Sequence, residues 1–415
     1  MPSTPPADQN AQPHAPAREA TGEASRKRPA RFPGAWALRL GFIGLGCALA
    51  LAILEIGLRL FWRVELASWQ RNLDVTVPLD PAVTLGVAGP ARIRTNSRGI
   101  RGPEWSNNRS SEYRILTLGA SDTRCLLQDQ PNTWAALLQT RMPATADGRS
   151  VWVGNAGGAG YNSRHLVLAM RYMLNQYDPD AVIIMGVTDA SMAREEGAAC
   201  DPLFIDRDEK LRTLARDFAE RPASLAVSGR LSLRGTYLWA FLREFRARFR
   251  GAGQGMAETA ENIRKLQEAR RHASRFVDEL PDLRPGLEGF RHNLLELIRL
   301  AREHDAHLVF MTAPGLLKPE MSREETDRLW AGWIGDRSQN TYWSARAMAV
   351  SVDAFNRALL DTCAAEGVDC IDLASRLPSS TAVFWDQAHF TDHGSRLVAA
   401  ELVEYFQAYF EKTRR

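Results

Sequence analysis

Cysteine is scarce in this sequence. Five cysteines occur in 415 residues, with no CxxC pair and no cysteine and histidine at the spacing of a zinc site. Structural zinc sites are built from such clusters. The sequence therefore predicts no structural metal, and nothing in it calls for a cofactor.

An excess of charge of either sign is also missing. Lysine and arginine number 52 and aspartate and glutamate 49, which leaves a net charge of +3. The overall charge therefore does not indicate a nucleic-acid partner. Apolar residues make up 45% of the chain, enough for a full core in one large domain with insertions or in two or three domains.

Large apolar residues are almost absent from residues 1–34, which are rich in proline, alanine and polar side chains. Such a segment cannot offset the entropy of ordering, so we expect it to be disordered. Residues 35–62 have the opposite composition, with no charge between Leu40 and Leu54. With its flanks, this stretch reaches about the 20 residues that a transmembrane helix needs.

Residues 35–62 fit an uncleaved anchor better than two other targeting signals. A cleaved signal peptide would have a shorter apolar core followed by a small-residue cleavage site. A lipoprotein signal is suggested by "GLGC", but Cys47 is followed by more apolar sequence. Basic residues at 26–28 and 31 indicate a cytoplasmic N-terminus, although Arg59 and Arg63 on the other flank weaken the inference. We expect a single-pass inner-membrane protein whose remaining chain is periplasmic.

Four cysteines would then lie in a compartment that permits disulfides. Cys363 and Cys370 are close enough in sequence to join the end of a helix to a strand. Equally, all four cysteines can serve as small apolar fillers.

A lead-in segment, 63–112, precedes a region in which strand-like and helix-like patterns alternate to the C-terminus. Short apolar runs rich in valine and isoleucine predict buried parallel strands. They lie at 113–118, 150–156, 181–187, 307–313 and 368–373. Amphipathic helical patterns separate them, which predicts one parallel sheet of about five strands between two helical layers over residues 113–415.

Residues 194–286 interrupt this alternation with a long segment in which we find no clear strand. We interpret the segment as a mostly helical insertion at the rim of the sheet. Within it, residues 237–250 combine an aromatic face with several arginines. Such a helix could lie on an anionic membrane surface, or it could simply pack its aromatic face on the domain.

Polar residues follow the predicted strands where a parallel sheet binds its ligands. Ser121 follows the first strand, Gly160 the second and Thr188 the third, while Asp386 and His389 precede the last helix. A serine hydroxyl needs a base to become a nucleophile, and a histidine oriented by a carboxylate is such a base. Taken alone, Ser121 would be interpreted as a helix N-cap, which is the commoner role of a serine before a helix.

This pattern resembles the SGNH/GDSL hydrolase superfamily. The first motif block matches residues 119–123, the glycine of the second falls on Gly160, and the third falls on residues 186–189. The final Asp-x-x-His falls on Asp386 and His389. The resemblance implies a three-layer α/β/α, flavodoxin-like fold and metal-free ester or acyl-transfer chemistry through an acyl-serine. It also implies an oxyanion hole at Ser121, Gly160 and Thr188.

Two residues of this sequence depart from the family pattern. Ala120 replaces an aspartate that is not a reacting group, and Thr188 replaces an asparagine that donates to the oxyanion. Upstream, "TNSRGIRGPE" (95–104) resembles the N-x-x-G-x-R-G lead-in of bacterial membrane-anchored members. A further interpretation, a metal held by Asp386, His389 and His393, has no supporting ligand motif.

The resemblance and the predicted location together imply a membrane-anchored serine esterase. Its partner would be an ester-bearing small molecule, or an O-acylated glycan or lipid of the envelope. An O-acyltransferase with the same site remains an alternative. So does a catalytically silent binding or scaffold protein, which the threonine at 188 favours.

Overall fold

The computed structural model describes residues 33–61, 69–185, 189–191, 252–335 and 340–413, together with Leu238 and Leu242. The chain divides into two units, the first ending at Gly57 and the second beginning at Leu58.

The first unit contains most of helix α1, Pro33–Phe61. Its apolar side chains are exposed, as at Phe42 and Leu49. The stretch Leu38–Leu58 is long and apolar enough to cross a membrane, and none of it is buried within the protein. It coincides with the membrane segment predicted at 35–62.

The second unit is built on a five-stranded parallel sheet. Two short strands of the lead-in, β1 (Asp74–Val77) and β2 (Ala91–Arg94), form a separate antiparallel pair. The strands of the main sheet are Glu112–Gly119 (β3), Ser150–Asn155 (β4), Ala181–Met185 (β5), His307–Met311 (β7) and Asp369–Ile371 (β9). Their spatial order is β4-β3-β5-β7-β9. All five strands predicted from the sequence are confirmed.

Helices cover both faces of this sheet, as the alternating pattern predicts. One apolar core lies under α4 (Ser163–Tyr177), α6 (Arg284–Glu303) and α8 (Ala345–Glu366). The other lies under α3 (Trp134–Arg141) and α10 (Asp392–Thr413). Among the described residues there are also the short helices α2 (Ser121–Arg124), α7 (Arg323–Asp327) and α9 (Leu373–Arg376). The three-layer α/β/α expectation is confirmed.

Two of these helices begin earlier than their apolar periodicity suggests. The pattern places the start of α8 near residue 351, but Ser344 caps it by accepting from the backbone N–H of Ala347 at 3.0 Å. Helix α6 likewise begins five residues before its apolar pattern, with a proline in its first turn. A capping serine therefore marks the start of α8, and a proline in the first turn marks the start of α6.

The described part of the 194–286 segment contains helix α5, Ala252–Arg271, and one element not expected there. Strand β6, Arg275–Val277, pairs in parallel with β8, Thr341–Trp343, outside the main sheet. Three residues are too few to show the alternation that identifies a strand. The basic helix expected at 237–250 lies outside the described residues, except for Leu238 and Leu242.

Gly119, the last residue of β3, is packed closely against β5 just before Ser121, and its replacement tests this packing. A Cβ on Gly119 would stand 2.0 Å from the carbonyl oxygen of Met185 and 2.1 Å from Oγ1 of Thr123. We expect Gly119→Ala to lower the free energy of unfolding by about 3 kcal/mol in urea titrations, because β3 and β5 must separate to admit the methyl group.

Gly148→Ala is the matched control for this substitution. Gly148 also has a positive φ, 86°, but a Cβ added there would have no neighbouring atom within 4 Å. It should lose only the conformational cost of about 1 kcal/mol. Equal losses in the two variants would show that the contact with β5 is not what requires glycine at 119.

Candidate active site

Ser121 lies at the tight turn that leaves strand β3, which lies between β4 and β5 in the sheet. It is the first residue of α2, a single helical turn that is followed by Cys125 in the left-handed conformation. The turn is fixed from the neighbouring strand, because Thr123 Oγ1 donates to the carbonyl oxygen of Met185 at 3.1 Å. Asn155, at the end of β4, donates from Nδ2 to the carbonyl oxygen of Thr123 at 2.6 Å.

Ser121, His389 and Asp386 form one chain of hydrogen bonds. The imidazole Nε2 of His389 lies 2.8 Å from Ser121 Oγ, and its Nδ1 lies 2.6 Å from Asp386 Oδ2. A proton on Nδ1, donated to the carboxylate, leaves Nε2 free to accept from the serine hydroxyl. The arrangement is that of a nucleophile, a base and a carboxylate that orients the base.

The Asp386 carboxylate is fully buried and has several donors. Its Oδ1 accepts from the backbone N–H groups of Ala388 at 2.9 Å and His389 at 2.8 Å. Its Oδ2 accepts from the indole Nε1–H of Trp330 at 2.6 Å, in addition to His389. The Asp-x-x-His spacing explains the backbone donors, since a three-residue turn brings these N–H groups back to the carboxylate.

Trp330 is a residue of this site that the sequence reasoning missed. It comes from the loop after α7, far from every motif block, and its ring lies nearly parallel to the His389 imidazole at 6.3 Å between centroids. Trp385 lies parallel to the same imidazole at 5.0 Å. Tryptophan side chains often lie in protein cores, so nothing in the sequence around Trp330 marks it as a residue of the site. Only its hydrogen bond to Asp386 does so.

The loop that carries Trp330 is held from two sides. The Gln387 side chain accepts from the backbone N–H of Trp330 at 3.2 Å. Arg270, on helix α5, donates to the carbonyl oxygens of Ala331 and Trp343 at 2.8 Å each. The described part of the insertion thus supports a residue that contacts the triad.

Arg101 is a second residue near this site, and the sequence pattern assigned it no role. It is only 1% exposed, and its guanidinium donates to the carbonyl oxygens of Arg124, Cys125 and Gln128. Burial lowers its pKa to about 10, so the side chain remains a cation at neutral pH. Arg101 therefore holds the chain immediately after the Ser121 turn.

The charges around His389 favour its protonated form. Burial lowers the pKa of the imidazole, but the attraction and hydrogen bond of Asp386 and the charge of Asp122 outweigh it, so the pKa is raised above 6.5. Asp122 is itself buried, and burial raises its pKa from 3.8 to about 6 against the lowering effect of its bond from the Thr123 N–H.

The residues expected to form an oxyanion hole are described only in part. Gly160 lies in the turn between β4 and α4 with a φ of 71°, a conformation that favours glycine. Thr188 lies outside the described residues, as does the rest of 186–188. Its neighbour Asp189 is fully buried and accepts from the backbone N–H and hydroxyl of Ser163 at 2.7 and 2.6 Å, so it anchors the start of α4.

In the part of the chain that the structure describes, neither a reactive thiol nor a metal-binding cluster lies near this site. Cys47, Cys125, Cys363 and Cys370 are free thiols, and burial raises the pKa of Cys125 to about 12. Over the described ranges, no three histidine, cysteine or acidic side chains are grouped so as to hold a metal ion. Both ring nitrogens of His389 are engaged, one by Ser121 and one by Asp386.

Comparison with known proteins gives structural similarity alone. No family model matches the chain, and no curated protein sequence matches it. Among solved structures, the acetylxylan esterase Axe2 of Geobacillus stearothermophilus aligns with a TM-score of 0.38 and 12% identity, over 71% of this chain and 94% of that chain. A G-D-S-L family lipolytic protein from Desulfitobacterium hafniense gives 0.34 and 10%, over 70% and 98%. Identities this low do not indicate what this chain acts on.

The buried Asp122 carboxylate has a measurable effect on stability. Its pKa is higher in the folded protein than its ordinary value of 3.8, so ionisation opposes folding, and the penalty is complete above about pH 6. We expect Asp122→Asn to raise the free energy of unfolding at pH 8 by up to about 3 kcal/mol. The gain should shrink as the pH falls to about 4 in thermal or urea unfolding.

Asp147→Asn is the opposite-sign control. Asp147 is exposed, and its pKa is lowered, first by a hydrogen bond from the Thr145 hydroxyl and then by Arg149. Its replacement should bring no gain at pH 8. A pH-independent effect of Asp122→Asn would mean that the pKa of this carboxyl is the same in the folded and unfolded chains.

Proposed function

We propose that this protein is a membrane-anchored serine esterase of the SGNH type. The observation that carries the proposal is the hydrogen-bonded chain Ser121–His389–Asp386. The fully buried carboxylate adds support, because a buried charge is costly unless it stabilises a neighbouring positive charge. A helix cap would need neither partner.

The proposed reaction has two halves. His389 Nε2 takes the hydroxyl proton of Ser121 as Oγ attacks the ester carbonyl, and Asp386 stabilises the imidazolium that forms. The backbone N–H groups of Ser121 and Gly160, with Thr188, would hold the oxyanion. The imidazolium then protonates the departing alcohol, leaving an acyl-Ser121 ester. Water, deprotonated by His389, attacks this ester, and the imidazolium returns the proton to Ser121 Oγ as the carboxylic acid leaves.

The substrate would be an ester-bearing small molecule, or an O-acyl group of an envelope glycan or lipid. The apolar helix α1 and the basic residues before it support an inner-membrane anchor with a cytoplasmic N-terminus and a periplasmic catalytic unit. An acyltransferase would use the same acyl-serine with a sugar hydroxyl in place of water. Added acceptor sugars would then divert the acyl group in the assay below.

Replacement of the nucleophile tests the proposal directly. The full-length chain in phosphatidylcholine nanodiscs should hydrolyse an aryl acetate and become labelled by a serine-reactive phosphonate. Ser121→Ala should abolish labelling and lower kcat by about 10⁴-fold or more, on the order of the loss when a triad member is removed. Ser110→Ala, at an exposed serine of the lead-in, is the control and should behave as the parent protein.

Absence of both turnover and labelling from a well-folded parent chain would leave Ser121 as a structural residue in the first turn of α2. The silent binding or scaffold protein would then be the better interpretation.

The pH dependence tests the role of Trp330. The base must be neutral, so kcat/KM should rise with pH through the raised pKa of His389, above 6.5. Trp330→Phe removes a donor from the Asp386 carboxylate, which then attracts the imidazolium more strongly. We expect this rising limb to move to higher pH, with kcat about tenfold lower. An unchanged profile with lower kcat would assign Trp330 a purely structural role.

A further inference from the structure

A cavity of about 350 Å³ opens beside Ser121 and His389 and runs into the core of the second unit. Its inner walls come from β5, β7 and the three helices α4, α6 and α8. The apolar side chains that form these walls include Leu166, Phe290, Leu294, Leu297, Phe310 and Phe355. Each of these six is at most 4% exposed and belongs to the core under this face of the sheet.

Three polar side chains that line this cavity are bonded to other groups of the protein. Asn356 accepts from the backbone N–H of Ala313 at 2.8 Å and donates to its carbonyl oxygen at 3.0 Å. The Ser163 hydroxyl is bonded to Asp189. Asp353 pairs with Arg357 at 2.8 Å and is largely exposed. The inner walls therefore offer a ligand dispersion contacts and burial rather than hydrogen bonds.

We propose that this cavity binds the acyl chain of the substrate, and that the preferred esters carry a linear chain of about six to ten carbons. The inference rests on the proposed esterase function and names its substrate class. A carbonyl attacked by Ser121 Oγ would lie at the open end of the cavity, so its alkyl chain can extend between the helices. A sugar placed among the apolar inner walls described above would lose its hydrogen bonds to water without gaining equivalent ones from these side chains.

The cavity size sets the chain length. A cavity of about 150 Å³ lined by leucine, isoleucine and phenylalanine side chains holds one six-carbon benzene ring and stays dry. The present cavity is a little more than twice as large, and part of it must admit the ester group. An acetyl group would leave most of the apolar wall uncovered.

A series of p-nitrophenyl esters tests the preference. The full-length chain in phosphatidylcholine nanodiscs, free of detergent that could compete for the cavity, is assayed with C2, C4, C8 and C16 esters. We expect kcat/KM to rise about threefold to fourfold for each buried methylene up to C8 and to fall by C16, where the cavity is full. A flat series, or one highest at C2, would overturn the inference while leaving the esterase function in place.

A substitution in the wall ties the preference to this cavity. Val352 lines the cavity from α8, and Val352→Phe should lower the C8-to-C2 ratio of kcat/KM by about tenfold or more. Val350→Phe is the matched control, because Val350 is 45% exposed on the same helix and does not line the cavity. Ala349→Leu is a smaller change to the same wall and replaces Val352→Phe should that variant fail to fold. An unaltered ratio in a folded wall variant would place the preference elsewhere.

A binding measurement separates this inference from the esterase proposal. Ser121→Ala in nanodiscs is titrated with octanamide and with acetamide, using empty nanodiscs to subtract partitioning into lipid. The inference is supported if octanamide binds saturably and acetamide does not, and if adding Val352→Phe to Ser121→Ala abolishes the binding of octanamide. This result would support the acyl-chain cavity even if the parent chain showed no turnover. Absence of octanamide binding overturns it, whatever the result with aryl acetate.

Discussion

The buried carboxylate of Asp386 is the constraint on which the candidate site depends. A charge with no access to water must be matched by hydrogen-bond donors. Four N–H groups donate to the Asp386 carboxylate: the backbone N–H groups of Ala388 and His389, the imidazole of His389 and the indole of Trp330. These donors fix the imidazole in the orientation that aims Nε2 at Ser121. The same low dielectric that makes the charge costly strengthens its hold on an imidazolium.

Support for this arrangement comes from parts of the chain outside the alternating sheet. The lead-in supplies Arg101, which fills the space behind the Ser121 turn and binds three carbonyl oxygens there. The described part of the insertion supplies α5, whose Arg270 holds the loop next to Trp330. The sheet itself aligns the turn through Thr123 and Asn155. Nucleophile and base thus reach one another at 2.8 Å because three separate segments meet at one end of the sheet.

Sequence reasoning was strongest where a short pattern has one physical meaning. Buried β-branched runs identified all five strands of the main sheet, and the Asp-x-x-His spacing brought together two groups that the structure joins by a hydrogen bond. It was weaker for elements defined by contacts alone. Strand β6 has three residues, and its identity depends on pairing with β8, 66 positions away. Trp330 and the apolar cavity depend on which helices meet in space, which local periodicity does not encode.

The contacts of the lead-in determine where the functional unit of this protein begins. The repeating strands and helices start at residue 112, yet Arg101 is buried under the nucleophile turn and Asp392, at the start of the last helix, binds the lead-in. The backbone N–H of Asp392 donates to the carbonyl oxygen of Gly86, and the Asp392 carboxylate accepts from the N–H of Ala88. The lead-in thus clamps the first and last parts of the sheet region together. A fragment cut at the first strand would keep every reacting residue and lose the framework that aligns them, so the smallest autonomous unit includes the lead-in.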